Sequence, residues 1–289
     1  MTFKNVMKKI ACGVLTVASV AACATTFTAC ETSNPKVTMT LEFNGETYAL
    51  EYKLYRKIAP ATTKHFLWLA ENHYYDDMVI HDYDADTLRM YTGAYSLDTE
   101  GELEYKDYYT FVQDEERVAS FPHSVWMDQE TANPTYTLYG EFSSNDFSVK
   151  NGNLKETFGS LTMYYHAKET DGRVYAKLQK DNETIARKYY RYNSATSMFY
   201  ISTVTSATSN SGYCTFATLE DGTDELEALQ EAIQDYIEEY CDDDTSEFLT
   251  EKKMTVDKDD AFVGTKSTSK TFYVPKQPIT IKSVTVKSY

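Results

Sequence analysis

Val37-Thr38-Met39-Thr40-Leu41-Glu42-Phe43 alternates apolar and polar side chains, and Tyr48 to Tyr55 alternates again. Period-two alternation marks a strand with one buried face. Asn44-Gly45 stands between the runs; both residues tolerate positive φ, so the pair predicts a hairpin turn. Pro60 is suited to open a helix at its first turn. Phe66, Leu69 and Ala70 mark one face of that helix through about Asn72, with Leu67 and Trp68 widening it. Met78-Val79-Ile80 begins another strand. Downstream, Leu226, Leu229, Ile233, Tyr236, Ile237 and Tyr240 follow helical spacing behind Thr223 or Asp224 as a cap. Pro275 to Val286 reads as a last strand. Three stretches break the pattern. Residues 96–133 are acidic and aromatic with little period, an added loop or small subdomain. Residues 167–190, rich in Lys and Tyr, form a second insertion. Residues 242–270 are charged and rich in Ser and Thr, which predicts a solvated linker or extension.

Composition agrees with a β-rich globular body. The chain has 289 residues, 42% hydrophobic and 25% charged, enough for a real core in one or two domains. Tyr at 25 and Phe at 14 outweigh Gly at 11, which favours strands. The net charge is −16, and residues 1–29 hold lysines but no acid, so the body is more acidic still. Such a body lacks the basic footprint of a nucleic-acid binder. It favours cationic or neutral polypeptide partners.

Lys4, Lys8 and Lys9 precede an apolar run from Ile10, the layout of an export signal. Val20-Ala21-Ala22-Cys23 and Phe27-Thr28-Ala29-Cys30 both resemble a bacterial lipobox, whose cysteine becomes the lipidated first residue. Cys30 is preferred, because Glu31-Thr32-Ser33-Asn34 follows it as a polar tether; Cys23 is the alternative. The organisation expected is a signal peptide and lipobox over 1–30, a tether over 31–36 and a domain over 37–289, with insertions at about 96–133 and 167–190 and an extension at about 242–270. The chain is then exported and held by a lipid anchor on the extracytoplasmic face of a bacterial membrane. A plain signal peptide or an uncleaved anchor helix is the other reading. Cys214 and Cys241 remain, either as a pair or as two buried thiols.

Three pieces in order carry a family likeness: KIAPATTKHFLWLAENHYYDDMVIHDY at 57–83, YTLYGEFSSNDF with NLKETFGSLTMYY across 136–165, and NSATSMFYI at 193–201. Together they resemble the cyclophilins, the peptidyl-prolyl cis-trans isomerases, over about 37–95, 134–166 and 190–286. The resemblance implies a mainly β fold, a closed eight-stranded β-barrel capped by two α-helices, here with insertions. It implies no cofactor and no metal, and an extended or proline-containing polypeptide as partner.

The activity so implied is rotation about an X-Pro bond, whose barrier is ~18–20 kcal/mol. In the family an arginine donates to the prolyl nitrogen, a glutamine and backbone groups hold the chain, and apolar side chains line a proline pocket. The family run Phe-His-Arg falls here on Ile80, His81 and Asp82, so the cation has become an anion. Phe-Met-x-Gln-Gly-Gly falls on Leu88 to Gly93 with one inserted residue, which puts Arg89 at the pocket methionine and Tyr91 at the glutamine. Ser-Gln-Phe-Phe has become Ser197-Met198-Phe199-Tyr200. Tyr164 and Tyr165 follow Thr162-Met163 where the family has a small residue and Asn. Phe216 matches a pocket Phe, and Tyr213 falls near the family's His or Tyr. The substrate-binding set is then Tyr91, Met163, Tyr164, Met198, Tyr200, Tyr213 and Phe216. No catalytic residue is assigned. Arg89 is offered as a relocated donor, as a partner of Asp82, or as a surface arginine paired with an acid. The implied function is an isomerase domain acting on or binding X-Pro segments of exported polypeptides with catalysis weak or lost. The alternative is a non-catalytic polypeptide-binding or structural surface lipoprotein.

Other constellations are weaker. Asp82, Asp84 and Asp86 open like a calcium loop, but Thr87 and Gly93 stand where glycine and glutamate are required, so a solvated acidic edge is the preferred reading. The five histidines show no metal-ligand spacing.

Overall fold

In the computed structural model Asn44 and Gly45 take φ of 50° and 87°. They turn β1 (Lys36–Phe43) into β2 (Glu46–Leu54), in register from Lys36 opposite Lys53 to Phe43 opposite Glu46. That register buries Val37, Met39, Leu41 and Phe43 with Leu50, Tyr52 and Leu54, as the alternation requires. The structure describes residues 34–145, 147, 154–164, 173–179, 182–189, 194–209, 211–256 and 268–289. These belong to the second of two units, Glu31–Tyr289. The expected signal, with Cys23 and Cys30, and Tyr165 lie outside the described residues.

Helix α1 (Pro60–Glu71) starts at its proline, as expected. Its first turn is closed by a distant side chain: Ala61 N and Thr62 N donate to the two oxygens of Glu141, at 3.0 and 2.8 Å. A carboxylate there meets orphan N–H groups and the positive end of the helix dipole. The chain then runs through β3 (Met78–Val79), β4 (Asp82–Asp84), β5 (Arg89–Thr92), β6 (Tyr95–Leu97), β7 (Leu103–Tyr105), α2 (Tyr108–Val112), β8 (Val125–Trp126), β9 (Leu138–Tyr139), β10 (Leu161–Met163), β11 (Arg173–Gln179), β12 (Asn182–Tyr189), β13 (Ser194–Ala195), β14 (Phe199–Ser202) and β15 (Thr215–Asp221). It ends in α3 (Thr223–Tyr240), α4 (Thr245–Phe248), β16 (Leu249–Val256), β17 (Thr268–Pro275) and β18 (Ile279–Ser288).

Among the described residues the main sheet has eleven strands, in the order β4-β5-β14-β10-β15-β2-β1-β18-β3-β6-β7. It is a curled, mainly β half-barrel, and the expected count of eight is corrected upward for local reasons. Ile80 and His81 separate β3, which pairs with β18, from β4, which pairs with β5. Gly93 separates β5 from β6 at φ 92°, where a Cβ would stand 2.4 Å from the Ser197 carbonyl oxygen. Only glycine allows that approach. The β7 strand is an addition.

Helix α3 buries Leu226, Leu229, Ile233 and Ile237 against the β1–β2 side. Each such aliphatic side chain contributes about 1.5–3 kcal/mol. Its cap is Gly222, one residue before the expected Thr223 or Asp224, and Asp224 and Glu225 instead occupy the first turn. There they favour the helix through its dipole.

The insertion at 96–133 is not a free loop. Trp68 Nε1 donates to Ser120 Oγ at 3.0 Å, Tyr108 Oη donates to the Tyr136 carbonyl at 2.6 Å, and Phe121 packs on Trp68 and His65. The apolar side of α1, wide because of Leu67 and Trp68, needs this cover. The insertion at 167–190 supplies β11 and β12, which join β8 in a separate sheet. The stretch 242–270, expected as solvated, holds α4, β16 and the start of β17. Its strands pair from Leu249 opposite Pro275 to Val256 opposite Thr268. Cys214 and Cys241 are two separate buried thiols.

Candidate functional site

A lateral row crosses the outer face of the curled sheet. Asp82 of β4 pairs with Tyr91 of β5, Tyr91 with Tyr200 of β14, and Tyr200 with Thr162 of β10. Side chains alternate along a strand, so the neighbours of this row turn inward. Met90, Phe199, Ile201, Met163 and Phe216 accordingly lie in the main core. Met163 and Phe216 are therefore corrected: they pack inside, Phe216 5.1 Å from the Phe66 ring, and line no groove. Of the rest, the four tyrosines stay together, and Met198 is buried beside them in a second cluster. Tyr91 packs on Tyr200 and Tyr164, at 5.2 and 5.8 Å between ring centroids, and Tyr200 on Tyr213 at 6.2 Å.

The stretch around Ser197 sets the depth of this face. Ser197 Oγ donates to the Gly93 carbonyl at 2.6 Å, and Tyr75 Oη donates to the Ser197 carbonyl at 3.3 Å. Met198 is thereby brought against Ala94, Tyr95, Phe272 and Val274.

Arg89 is spent on a carboxylate. Its Nε and Nη2 donate to Glu156 Oε1 and Oε2, both at 3.0 Å. The guanidinium lies 4.7 Å from the Tyr200 ring centroid and 5.6 Å from that of Tyr213. Tyr200 Oη and Ser202 Oγ complete the Glu156 shell at 3.2 and 3.1 Å. Burial works against charge on both groups, and their mutual hydrogen bonds outweigh it: Arg89 is held above, and Glu156 below, its ordinary range. The expected partner of Arg89, Asp82, is thus replaced by Glu156, and the surface pair is a largely buried one.

Asp82 is not on a solvated edge. It is 7% exposed, accepts from Tyr273 N at 3.0 Å and faces Lys270 Nζ at 3.8 Å. Burial pushes its carboxyl up, against the pull of Tyr273 and Lys270. Asp84 accepts from Thr87 N at 2.8 Å in the following turn, and Asp86 is exposed. Among the described residues no group of three His, Cys, Asp or Glu is placed to hold a metal ion.

The cover over Asp82 is β17. Phe272 is fully buried, 5.0 Å from the His81 ring and 5.5 Å from the Tyr95 ring. Burial pushes His81 down to about 3, so it stays neutral. Lys270, Phe272, Tyr273 and Glu156 escape sequence reasoning. The alternation Lys270-Thr271-Phe272-Tyr273-Val274 is the signal that finds the first three; Glu156 carries none.

This arrangement gives a packed row of tyrosines, with Tyr91 and Tyr200 themselves buried, beside two anions, Asp82 and Glu156, and two cations, Arg89 and Lys270, already engaged with one another. The chain belongs to the cyclophilin-type peptidyl-prolyl cis-trans isomerases: the family model described as cyclophilin type peptidyl-prolyl cis-trans isomerase/CLD matches residues 38–252. Among solved structures, a cyclophilin type isomerase of Cryptosporidium parvum matches at 15% identity and a TM-score of 0.42, covering 89% of this chain and 99% of that one. A structure of that isomerase in the presence of the dipeptide Ala-Pro matches at 15% identity and 0.41, covering 88% and 99%. No curated protein matches the chain.

Proposed function

We propose that this cyclophilin-like domain binds extended, X-Pro-containing segments of exported polypeptides along the tyrosine row, with isomerase turnover weak or lost. The observation that carries this is Asp82, an anion at the family's arginine position, held by Tyr273 N and covered by β17. Lowering the X-Pro barrier requires drawing electron density towards the prolyl nitrogen, and a carboxylate opposes that. Arg89 offers little help, since two of its donors are bound to Glu156. Polypeptide binding asks less: aromatic faces and sheet edges suffice for an extended chain. In this reading the chain is exported and tethered at Cys30, with Cys23 as the alternative, on the extracytoplasmic face of a bacterial membrane.

The test is an isomerase assay with proline tetrapeptides, beside binding of the same peptides. Binding without appreciable turnover is expected. Turnover close to that of ordinary cyclophilins rejects the loss of catalysis, and no binding at all rejects the tyrosine row as a binding face.

A further inference from the structure

Lys270 reaches from β17 onto the tyrosine row. Its ammonium lies 4.5 Å from the Tyr164 ring centroid, 5.2 Å from Phe272 and 5.4 Å from Tyr91. The Tyr164 hydroxyl stands at 3.1 Å and Asp82 Oδ2 at 3.8 Å. Ring faces are negative, and a carboxylate beside them completes a receptor for positive charge. Three of these groups, Asp82, Tyr91 and Tyr164, belong to the sheet or its edge. Only Phe272 shares a strand with Lys270.

Two features bear on what else the receptor takes. The Lys270 side chain is 33% exposed, so the receptor opens to solvent on one side. A lysine is a point charge on a flexible stem, so it leaves by rotating its own side chain while β17 stays in place. The chain as a whole carries −16, which draws cationic segments towards it.

We propose that Asp82, Tyr91 and Tyr164 form a subsite for a lysine or arginine side chain of the bound polypeptide, and that Lys270 is its resident occupant. The subsite rests on the polypeptide-binding reading of the tyrosine row and narrows it: the favoured segment carries a cation near its proline. Asp82 then has a role of its own. An anion that hinders catalysis at this position is what cation recognition requires.

The experiment uses the full chain and pairs of fluorescent proline peptides. Each pair differs only in arginine or its neutral isostere citrulline, placed in turn at each position flanking the proline. With Lys270→Ala, which removes the resident cation and its stem, the best arginine peptide is expected to bind about fivefold tighter than its citrulline partner. Adding Asp82→Asn should remove that preference. Equal binding of both peptides by the Lys270→Ala protein overturns the subsite and leaves the polypeptide-binding reading standing. No binding of any peptide by any of the proteins overturns both. The wild-type chain gives a second readout if a variant misfolds. Acylation of the Lys270 amine, followed by mass spectrometry, should speed up about fivefold with the arginine peptide and not with the citrulline one. Equal rates overturn the subsite.

Discussion

Arg89 and Glu156 meet as a two-pronged ion pair across the outer face of the sheet, 3.0 Å at each contact, with the Glu156 side chain 1% exposed and the Arg89 side chain 19% exposed. Removing the cation strands a buried carboxylate, which costs about 3–5 kcal/mol. Arg89→Ala is therefore expected to lower the urea midpoint sharply. Arg89→Met combined with Glu156→Gln should recover most of the loss. The alanine variant also tests catalysis. Any isomerase turnover in the wild type that survives Arg89→Ala undiminished shows that Arg89 is not the donor.

Isomerase turnover should be about a hundredfold below that of ordinary cyclophilins, because a lost charge-assisted donor is worth roughly 2–3 kcal/mol. A coupled or NMR exchange assay on a proline tetrapeptide panel measures it directly.

Phe272 is the hub of the cover. Phe272→Ala removes its packing on His81 and Tyr95 and should destabilise the fold by about 3–5 kcal/mol. Because Tyr273 N donates to Asp82, its amide should exchange with solvent faster in this variant than in the wild type. Unchanged exchange at Tyr273 would show that the hairpin is held by other contacts.

Acid should unfold the protein through buried histidines. His65 and His81 are both pushed by burial down to about 3, from an ordinary 6.5. Between those values the unfolded chain binds protons that the folded chain refuses, so stability falls as pH drops from about 6.5 towards 3. Glu141 acts in the opposite sense: burial raises it from 4.5 to about 7, so it favours the folded state as pH falls from 7 to 4.5. Two histidines against one carboxyl leave a net loss on acidification. His81→Phe should reduce the slope by about one proton, ~1.4 kcal/mol per pH unit, in urea titrations between pH 4 and 6. Glu141→Gln should steepen the slope above pH 4.5.

Membrane attachment depends on a cysteine in the proposed scheme. Cys30→Ser should move the protein from the membrane fraction to the soluble fraction, with the same thermal unfolding of the body. Retention after Cys23 and Cys30 are both replaced would point to an anchor helix.

Local signals in the chain are accurate where the physics is local. Asn44-Gly45, Pro60 and the Leu226–Ile237 stripe each place an element within a residue or two, because turn chemistry and periodicity act over a few positions. The resemblance names Asp82, Tyr91 and Tyr200 one by one, but their pairing into a row comes from strands far apart in the chain, and Asp82 reads in the sequence as a solvated acid because its cover, Tyr273 and Lys270, stands about 190 residues on. Met163 and Phe216 show the limit: both sit beside outward-facing residues, and a one-residue phase decides their side. The β16–β17 hairpin hid because Glu251 and Lys253 face solvent, and its buried half, Phe272 and Val274, stands far along the chain. Glu141 and Glu156 are buried by partners 79 and 67 residues away, Thr62 and Arg89, which no window on the sequence spans.

Strand β18 lies between β1 and β3 in the sheet. The first and last strands of the domain are thus neighbours, hydrogen-bonded from Lys36 opposite Ser288 to Phe43 opposite Ile279. A ribosome must release the chain through β18, about 240 residues after β1, before the two can meet. Until then the early hairpin presents an unpaired edge at β1, the kind of surface that recruits other strands. Such long-range closure is slow. The β1 edge of the early hairpin thus stays open to other strands until β18 arrives to close it.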